Sequence, residues 1–456
     1  MKKFYIPRAK KIHSIENVLI DSCAHEFKSR YGNHSRVEYS YSFNFKDLGL
    51  YLKSILYFLG SVFDYSRVAL YEIGGVNIGR PAYAMALKNY KVYITKYILP
   101  LELLMRLLAC TRDYLMGMKI VESLTSEDEG AIYLRDLAYS DSILFDLCMK
   151  NQVGVYAIAY PQTMTFYKSK HITSVSVRKL AFPKFSITDK QYNDYMNGRL
   201  EDPRKHISYY SPEKHSLDSY FLPKNQEKKI ALIYAHSFSD AQLAYGYDGF
   251  TNIYDWLIFT VDFLIKNDVE ILVKAHPNFW SIGHESKIVE VDQKVWGFIK
   301  KKYENSNLVK FIDKPIDNKF ILEKMRKSNT IVISHHGNAV AEAAYFGYKT
   351  ISSSCSTWGD DYYNFSNTWQ SKYEYVTMLS NIDVLEYTDE KKLKNFVADR
   401  FYKNQYDEWW DVVANEAGVS VPEIVKNPEI INKDNFNDYS QSIERLSILI
   451  NQMVYE

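Results

Sequence analysis

Short apolar runs alternate with stretches of helical spacing along this chain, most regularly between residues 229 and 352. Lys229–Ala235, Val269–Ala275, Leu308–Ile312, Thr330–Ser334 and Lys349–Ser352 are rich in Ile, Val and Leu and bounded by polar residues. That is the pattern of strands buried on both faces. Between them, Asn252–Lys266 carries a long amphipathic helical repeat and Ala339–Phe346 a short one. Strand and helix alternating in this way predict an α/β fold with a doubly wound parallel sheet.

The first half carries the same signal more weakly. Asn17–Asp21, Val68–Ile73, Ala131–Arg135 and Val153–Ala159 are expected to be buried parallel strands, with a helix over Ser140–Lys150. The segment Leu180–Lys229 is polar, rich in tyrosine and punctuated by Pro183, Pro203, Pro212 and Pro223, and is expected to form a solvated join. From about Leu393 to the end, including Trp409 and Trp410, the spacing is helical. The division is therefore residues 1–225 as one α/β domain with its linker, 226–395 as a second, and 396–456 as helices packing back on the first. Two such domains with a closing helical tail place a cleft between them.

Leu48–Phe63 and Ile98–Cys110 are the longest greasy stretches. Lys53 interrupts one, Glu102 and Arg106 the other, and both fall short of the ~20 residues that span a bilayer. They are expected to be buried helices, with docking on a membrane surface as the lesser alternative.

Composition narrows the function classes. With 56 Lys and Arg against 55 Asp and Glu in 456 residues, the net charge of +1 supplies no global field for nucleic acid. Four scattered cysteines (Cys23, Cys110, Cys148, Cys355) form no C-x-x-C pair, which suits a reduced, cytoplasmic protein. The basic start of the chain lacks an apolar segment behind it, so no secretory signal is expected. No G-x-G-x-x-G, phosphate-binding P-loop, H-E-x-x-H, G-x-S-x-G or D-x-D occurs, and no fixed-period repeat. Aromatics make up 15% of the chain, with 39 tyrosines. Such rings stack on sugar faces, but their spread over both halves fits codon bias as well.

Ligands of open α/β sheets bind at the carboxyl ends of the strands, so the residues that follow each strand matter most. After Lys229–Ala235 comes His236-Ser-Phe-Ser-Asp240, and Lys274 precedes His276-Pro277 at the next strand end. Ser334-His335-His336-Gly337-Asn338 opens straight into a helix, and Ser353 and Ser354 end the last strand. A helix start with small residues, two histidines and nearby serines suits a phosphate; the bland alternative is that Ser334 or Asn338 simply caps the helix. His276 can donate to a phosphate or leaving group, or merely terminate its strand. Asp240 is favoured over Asp248, in a turn beside Gly249, and over Asp255, on the exposed side of its helix, as a base or nucleophile. A zinc site built from His236, His276, His335 and His336 is disfavoured, since adjacent histidines rarely ligate one ion. No metal and no cofactor are expected.

These motifs, from Ala231-Leu-Ile-Tyr-Ala-His-Ser-Phe-Ser-Asp-Ala241 through Ile271-Leu-Val-Lys-Ala-His-Pro-Asn278 to Ser334-His-His-Gly-Asn-Ala-Val-Ala-Glu342, resemble bacterial capsule-polysaccharide glycosyltransferases. The likeness is to capsule transferases for Kdo and, more distantly, to sialyltransferases with a His-Pro motif. It covers about residues 229–356. The resemblance implies two facing Rossmann-like domains (the GT-B architecture) and metal-independent transfer from a nucleotide-activated sugar, with CMP-linked Kdo as one candidate, to a polysaccharide or lipid-linked glycan. By the same resemblance Asp240 and His276 are catalytic. Lys274, Pro277, Ser334, His335, His336, Gly337, Asn338, Glu342, Ser353 and Ser354 would hold the donor; outside the span of the resemblance, Gly74, Gly75 and the strand ends Glu72 and Asp136 of the first domain are expected to bind the acceptor. The protein would work in the cytoplasm or at the inner face of the membrane, in contact with a capsule assembly complex, and bind no nucleic acid. His236 stands where a glutamine is common, Ala275 where a proline usually precedes the histidine, and His335-His336 where serine or threonine is usual. Two rival readings are a glycerol- or ribitol-phosphate transferase of the teichoic-acid type and a non-catalytic glycan-binding assembly protein.

Overall fold

A computed structural model describes residues 3–6, 11–14, 37–38, 45–94, 98–125, 130–134, 137–159, 163–179, 185–201, 228–239, 242–276, 279, 287–313, 316–359, 361–403, 418–422 and 436–455. The chain forms two compact units. One comprises Met1–Tyr83, Leu103–Phe185 and Asp399–Glu456, and the other Ala84–Glu102 with Ser186–Ala398.

In chain order the strands are β1 (Lys3–Ile6), β2 (Lys11–Ser14), β3 (Val37–Glu38), β4 (Glu72–Ile73), β5 (Val76–Asn77), β6 (Gly130–Leu134), β7 (Gly154–Ala159) and β8 (Thr163–Tyr167). They continue as β9 (Ile230–Tyr234), β10 (Glu270–Lys274), β11 (Val309–Ile312), β12 (Thr330–Ser334), β13 (Lys349–Ser353) and β14 (Asn367–Trp369). The helices that matter below are α1 (Leu48–Gly60), α2 (Ile98–Thr125), α3 (Ser140–Lys150), α4 (Asp189–Glu201), α5 (Ile253–Lys266), α6 (Lys287–Tyr303), α7 (Asn318–Lys324) and α8 (Ala339–Tyr345).

The first unit holds a mixed six-stranded sheet, ordered β3-β2-β1-β6-β7-β8. Only β1, β6 and β7 run parallel; β2, β3 and β8 are antiparallel to their neighbours. The expected strands at Ala131 and Val153 and the helix between them are present as β6, β7 and α3. Asn17–Asp21 lies outside the described residues. The C-terminal helix Phe436–Tyr455 lies against β8, where Ser447 Oγ accepts the Phe166 N–H at 3.0 Å.

Two expectations for this unit are corrected. Val68–Ile73 is not a parallel strand: Tyr65–Leu70 is a 3₁₀ turn capped by Asp64, and Glu72–Ile73 pairs antiparallel with β5 in a two-stranded hairpin. A brief apolar run does not reveal its backbone period, and Gly74 and Gly75, with φ of 57° and 76°, turn the chain back at once. Leu48–Phe63 is helical as α1, but it is not buried. Leu48, Leu52, Leu56, Leu59, Val62 and Phe63 are exposed, while Ser54 and Phe58 face inward. By contrast α2 buries Leu103, Leu107, Tyr114, Ile120 and Leu124 along its length.

The second unit is the doubly wound sheet that the pattern predicts, ordered β11-β10-β9-β12-β13-β14 and parallel throughout. Alternate residues of its central strands enter two cores. Ala231, Ile233, Ile271, Val273, Ile331 and Ile333 join Trp256, Leu257 and Val261 of α5 on one face. Leu232, Leu272 and Val332 meet Ile321, Leu322 and Tyr348 on the other. Within the expected solvated join, α4 buries Tyr192 and Met196, and Asn193 accepts from Tyr345 Oη at 3.1 Å.

Candidate functional site

The first strand of the second sheet, β9, lies between β10 and β12, so the winding reverses between β9 and β12. Ligands of open α/β sheets gather outside the carboxyl ends of strands at such a reversal. His236 follows β9 there, and Ser334, His335 and His336 follow or close β12. Strand alternation sends successive residues to opposite faces. Ser334 Oγ donates to the Tyr234 carbonyl at 3.0 Å. His335 turns to the other core, where the rings of Trp256 and Trp369 meet it edge-on at 5.5 and 5.6 Å.

His335 is held from behind by Asp248. Its Nε2 lies 3.0 Å from Asp248 Oδ2, and both side chains are buried. The loop that delivers Asp248 turns through Leu243, Gly246 and Gly249, all with positive φ. At Gly249 a β-carbon would stand 2.5 Å from the Lys372 backbone nitrogen, so only glycine fits. Ser353 Oγ also donates to Asp248, and the Phe250 N–H does so at 3.2 Å. Burial pushes the Asp248 carboxyl up, but His335, Ser353 and Phe250 outweigh it and hold it below the ordinary aspartate value.

On its other side, His335 Nδ1 faces His336 Nδ1 at 2.8 Å. One nitrogen must donate and the other accept, which permits two proton arrangements. With the Asp248–His335 contact carrying one proton, His336 donates from Nδ1 and its Nε2 is a bare lone pair. With His335 doubly protonated against Asp248, His336 accepts at Nδ1 and carries its proton on Nε2. The chain Asp248–His335–His336 can thus pass a proton to or from His336 Nε2, with Asp248 in contact with His335 in both arrangements. That nitrogen is enclosed and has no hydrogen-bond partner among the described residues.

The His336 ring centre lies 3.9 Å from that of His236, which lies 5.1 Å from that of His276. Burial pushes His336 well below the ordinary histidine value, helped by His236, His335 and His276. Burial likewise lowers His276, with His236 and Lys274 adding to it. Both rings are therefore neutral near pH 7 and able to accept a proton or donate a single N–H. A pocket beside them is lined by Gln242, Tyr245, Asp248, His335, His336 and Cys355. Among the described residues, no group of three His, Cys, Asp or Glu side chains is arranged to hold a metal ion.

Lys274, the last residue of β10, is buried, and its Nζ donates to Asn318 Oδ1 at 2.7 Å. Asn318 Nδ2 in turn donates to Glu342 of α8. Burial lowers the ammonium to about 8, against the pull of Glu342 and Asp317. The loop after β9 is tied to α6: Asp292 accepts from Ser237 Oγ at 2.6 Å, from the Phe238 N–H at 2.8 Å and from Ser239 Oγ at 3.3 Å. Gly337 lets the backbone close on this loop, since a β-carbon there would stand 2.9 Å from Ser334 Oγ and 3.8 Å from His236 Cδ2.

Of the residues singled out in the sequence, Lys274, His276, Ser334, His335, His336, Gly337 and Glu342 all belong to this strand-end region. Asp240, Pro277 and Asp136 lie outside the described residues. Ser353 is spent on Asp248 and the Cys355 N–H, and Ser354 donates its N–H to the Trp369 carbonyl. Asn338 stands exposed at the start of α8 and makes no side-chain cap. Glu72, Gly74 and Gly75 form the hairpin of the first unit, where Lys150 Nζ donates to the Gly74 carbonyl. Asp248 is the residue that sequence reasoning passed over. Its signal was the adjoining Gly249, which marks a tight turn that brings a side chain inward.

No family model matches the chain, and no curated protein sequence matches it. Solved structures do. The beta Kdo 2,4 transferase of Thermosulfurimonas dismutans KpsC is similar at 11% identity over 59% of this chain and 78% of that one, with a TM-score of 0.34. An alpha,alpha-trehalose-phosphate synthase (UDP-forming) from Burkholderia xenovorans is similar at 10% identity over 90% and 84%, with a TM-score of 0.29. The UDP-GlcNAc 2-epimerase of Methanocaldococcus jannaschii is similar at 9% identity over 64% and 82%, with a TM-score of 0.28. Likeness at this level assigns no role to any residue of this chain.

Proposed function

We propose that the protein is a glycosyltransferase that moves a sugar from a nucleotide-activated donor to a glycan acceptor. One observation carries the reading: neutral histidines converge at the winding reversal of a parallel sheet, backed by the Asp248–His335–His336 proton chain. Glycosyl transfer needs a proton removed from an acceptor hydroxyl and negative charge stabilised on a departing phosphate. His336 Nε2 suits the first task. His276 and Lys274 suit the second, because Lys274 keeps its ammonium charge near pH 7 and charge developing on the phosphate holds that proton more firmly. Asp240, in the loop after β9, is assigned the anomeric centre: it takes the acceptor proton in place of His336 if the configuration inverts, and is the nucleophile if it is retained. Glu72, Gly74 and Gly75 are proposed for the acceptor. The sequence motifs favour a surface polysaccharide as the product and a CMP-linked sugar such as Kdo as the donor, with no metal taking part.

Thermal shift with CMP, CDP, UDP and GDP is the test. A nucleotide at about 100 times its dissociation constant adds about 2.7 kcal/mol to the stability. Incubation of the matching labelled nucleotide-sugars with glycan acceptors follows. Sugar label in the product, with phosphate label left on the nucleotide, supports the proposal; phosphate label in the product favours the teichoic-type reaction. Asp240→Ala is expected to abolish transfer and leave nucleotide affinity near that of the wild type. Full transfer by that variant removes Asp240 from the mechanism.

A further inference from the structure

The helix α1 is built inside out. Its inward residues include Ser54, whose Oγ meets Thr111 Oγ1 at 2.9 Å and Tyr71 Oη at 3.3 Å, and donates to the Leu50 carbonyl. Phe58 joins it, stacked on Tyr65. Outward stand Leu48, Leu52, Leu56 and Leu59, spaced three and four residues apart so that they share one face. Phe45 before the helix and Phe63 after it extend the stripe, at 86% and 103% exposure. Apolar side chains left in water along a whole helix face mark a surface that meets something apolar.

The charges on this stretch narrow what that is. Lys46, Lys53 and Arg67 are exposed; of the acidic residues Asp47 is buried, while Asp64 is exposed and accepts the Ser66 N–H at the start of the following turn. Lys53 flanks the leucine stripe beside Leu56, since each residue turns the helix by about 100°. A lysine at the margin of an apolar helix face reaches past its own apolar stem to the lipid phosphates of a bilayer. A helix of this kind lies in the plane of the headgroups. No described helix is long and apolar enough to cross a membrane.

We propose that α1, with Phe45 and Phe63, is a monotopic docking face for an anionic lipid bilayer, with Lys46, Lys53 and Arg67 at the headgroup level. The assignment stands apart from the glycosyltransferase reading, and either can fail without the other. Cosedimentation of the full chain with vesicles tests it. Equimolar phosphatidylcholine and phosphatidylglycerol is expected to bind the wild type about tenfold or more better than phosphatidylcholine alone, and added salt to weaken it.

Leu52→Glu with Leu56→Glu is expected to reduce binding to anionic vesicles about tenfold or more. Both side chains face solvent, so the melting transition should persist; Phe63→Ser, at the most exposed position, gives an independent loss of binding. Lys46→Ala with Lys53→Ala should remove the preference for phosphatidylglycerol. The proposal is overturned if the wild type ignores both vesicle types, or if the leucine variants bind as the wild type does. It is also overturned if light scattering shows a dimer without lipid that the same leucine substitutions dissolve, since a second copy then covers the face.

Discussion

Asp248 Oδ2 and His335 Nε2 lie 3.0 Å apart inside the second unit, with Ser353 as a second donor to the same carboxylate. The Nδ1 of His335 is left facing His336. Asp248, through His335, thereby bears on the proton of His336.

Replacing Asp248 with asparagine keeps the size, but it turns one accepting oxygen into a donor and removes the charge that balances a protonated His335. Transfer is expected to fall by about a hundredfold or more, the scale of general acid–base catalysis, while nucleotide affinity stays near normal. Steady-state kinetics beside the nucleotide thermal shift measure the two. Unchanged turnover would mean that the chain ends at His336 and Asp248 only supports the fold.

The histidines make the second unit sensitive to acid. His276 and His336 have folded values held below the ordinary 6.5, so the unfolded chain binds more protons as the pH drops below that value. Stability is then full above about pH 6.5 and declines toward the depressed folded values, by at most about 1.4 kcal/mol per pH unit for each histidine. Chemical denaturation as a function of pH reads the slope. His276→Asn or His336→Asn should each flatten it, and a slope unchanged in both variants contradicts the neutral buried state.

Lys274 is charged below about 8 and loses its proton above that. Affinity for a nucleotide phosphate should therefore be highest under neutral conditions and fall as the pH rises through this value. Lys274→Met keeps the buried apolar stem, removes the charge, and should shrink the nucleotide-induced thermal shift. A shift equal to that of the wild type, with the same pH dependence, would leave Lys274 a purely structural partner of Asn318.

Gly337→Ala brings a β-carbon to 2.9 Å from Ser334 Oγ, which already donates to Tyr234. Displacing that hydroxyl is expected to cost about 1 kcal/mol, the worth of one hydrogen bond. It should also press on His236 and lower transfer. Ser334→Ala relieves the crowding, so the double variant should regain part of the activity; no loss in Gly337→Ala alone would show that the turn yields freely.

The parallel sheet of the second unit was legible because runs such as Ile331-Val-Ile333 and Leu232-Ile233 are buried on both faces, and that burial leaves only apolar residues to use. The histidines were legible as strand-end residues for the same reason. Elsewhere a run of apolar residues was ambiguous. Val68–Ile73 was read as one strand, yet a 3₁₀ turn and a two-residue hairpin fill it. Leu48–Phe63 has the spacing of a helix, but hydrophobicity does not say which face turns inward. The hydroxyl knot of Ser54, Tyr71 and Thr111 fixes that, and it comes from three separate elements.

By itself, then, the sequence determined the central strands of the second unit, their winding and the histidines that end them, since these follow from local periodicity and turn chemistry. Only the tertiary structure decided that Asp248 meets His335, that Ser353 is spent on that carboxylate, and that the leucines of α1 face out. Each depends on which distant segment fills the space beside a side chain, and no period within a single run of residues encodes that.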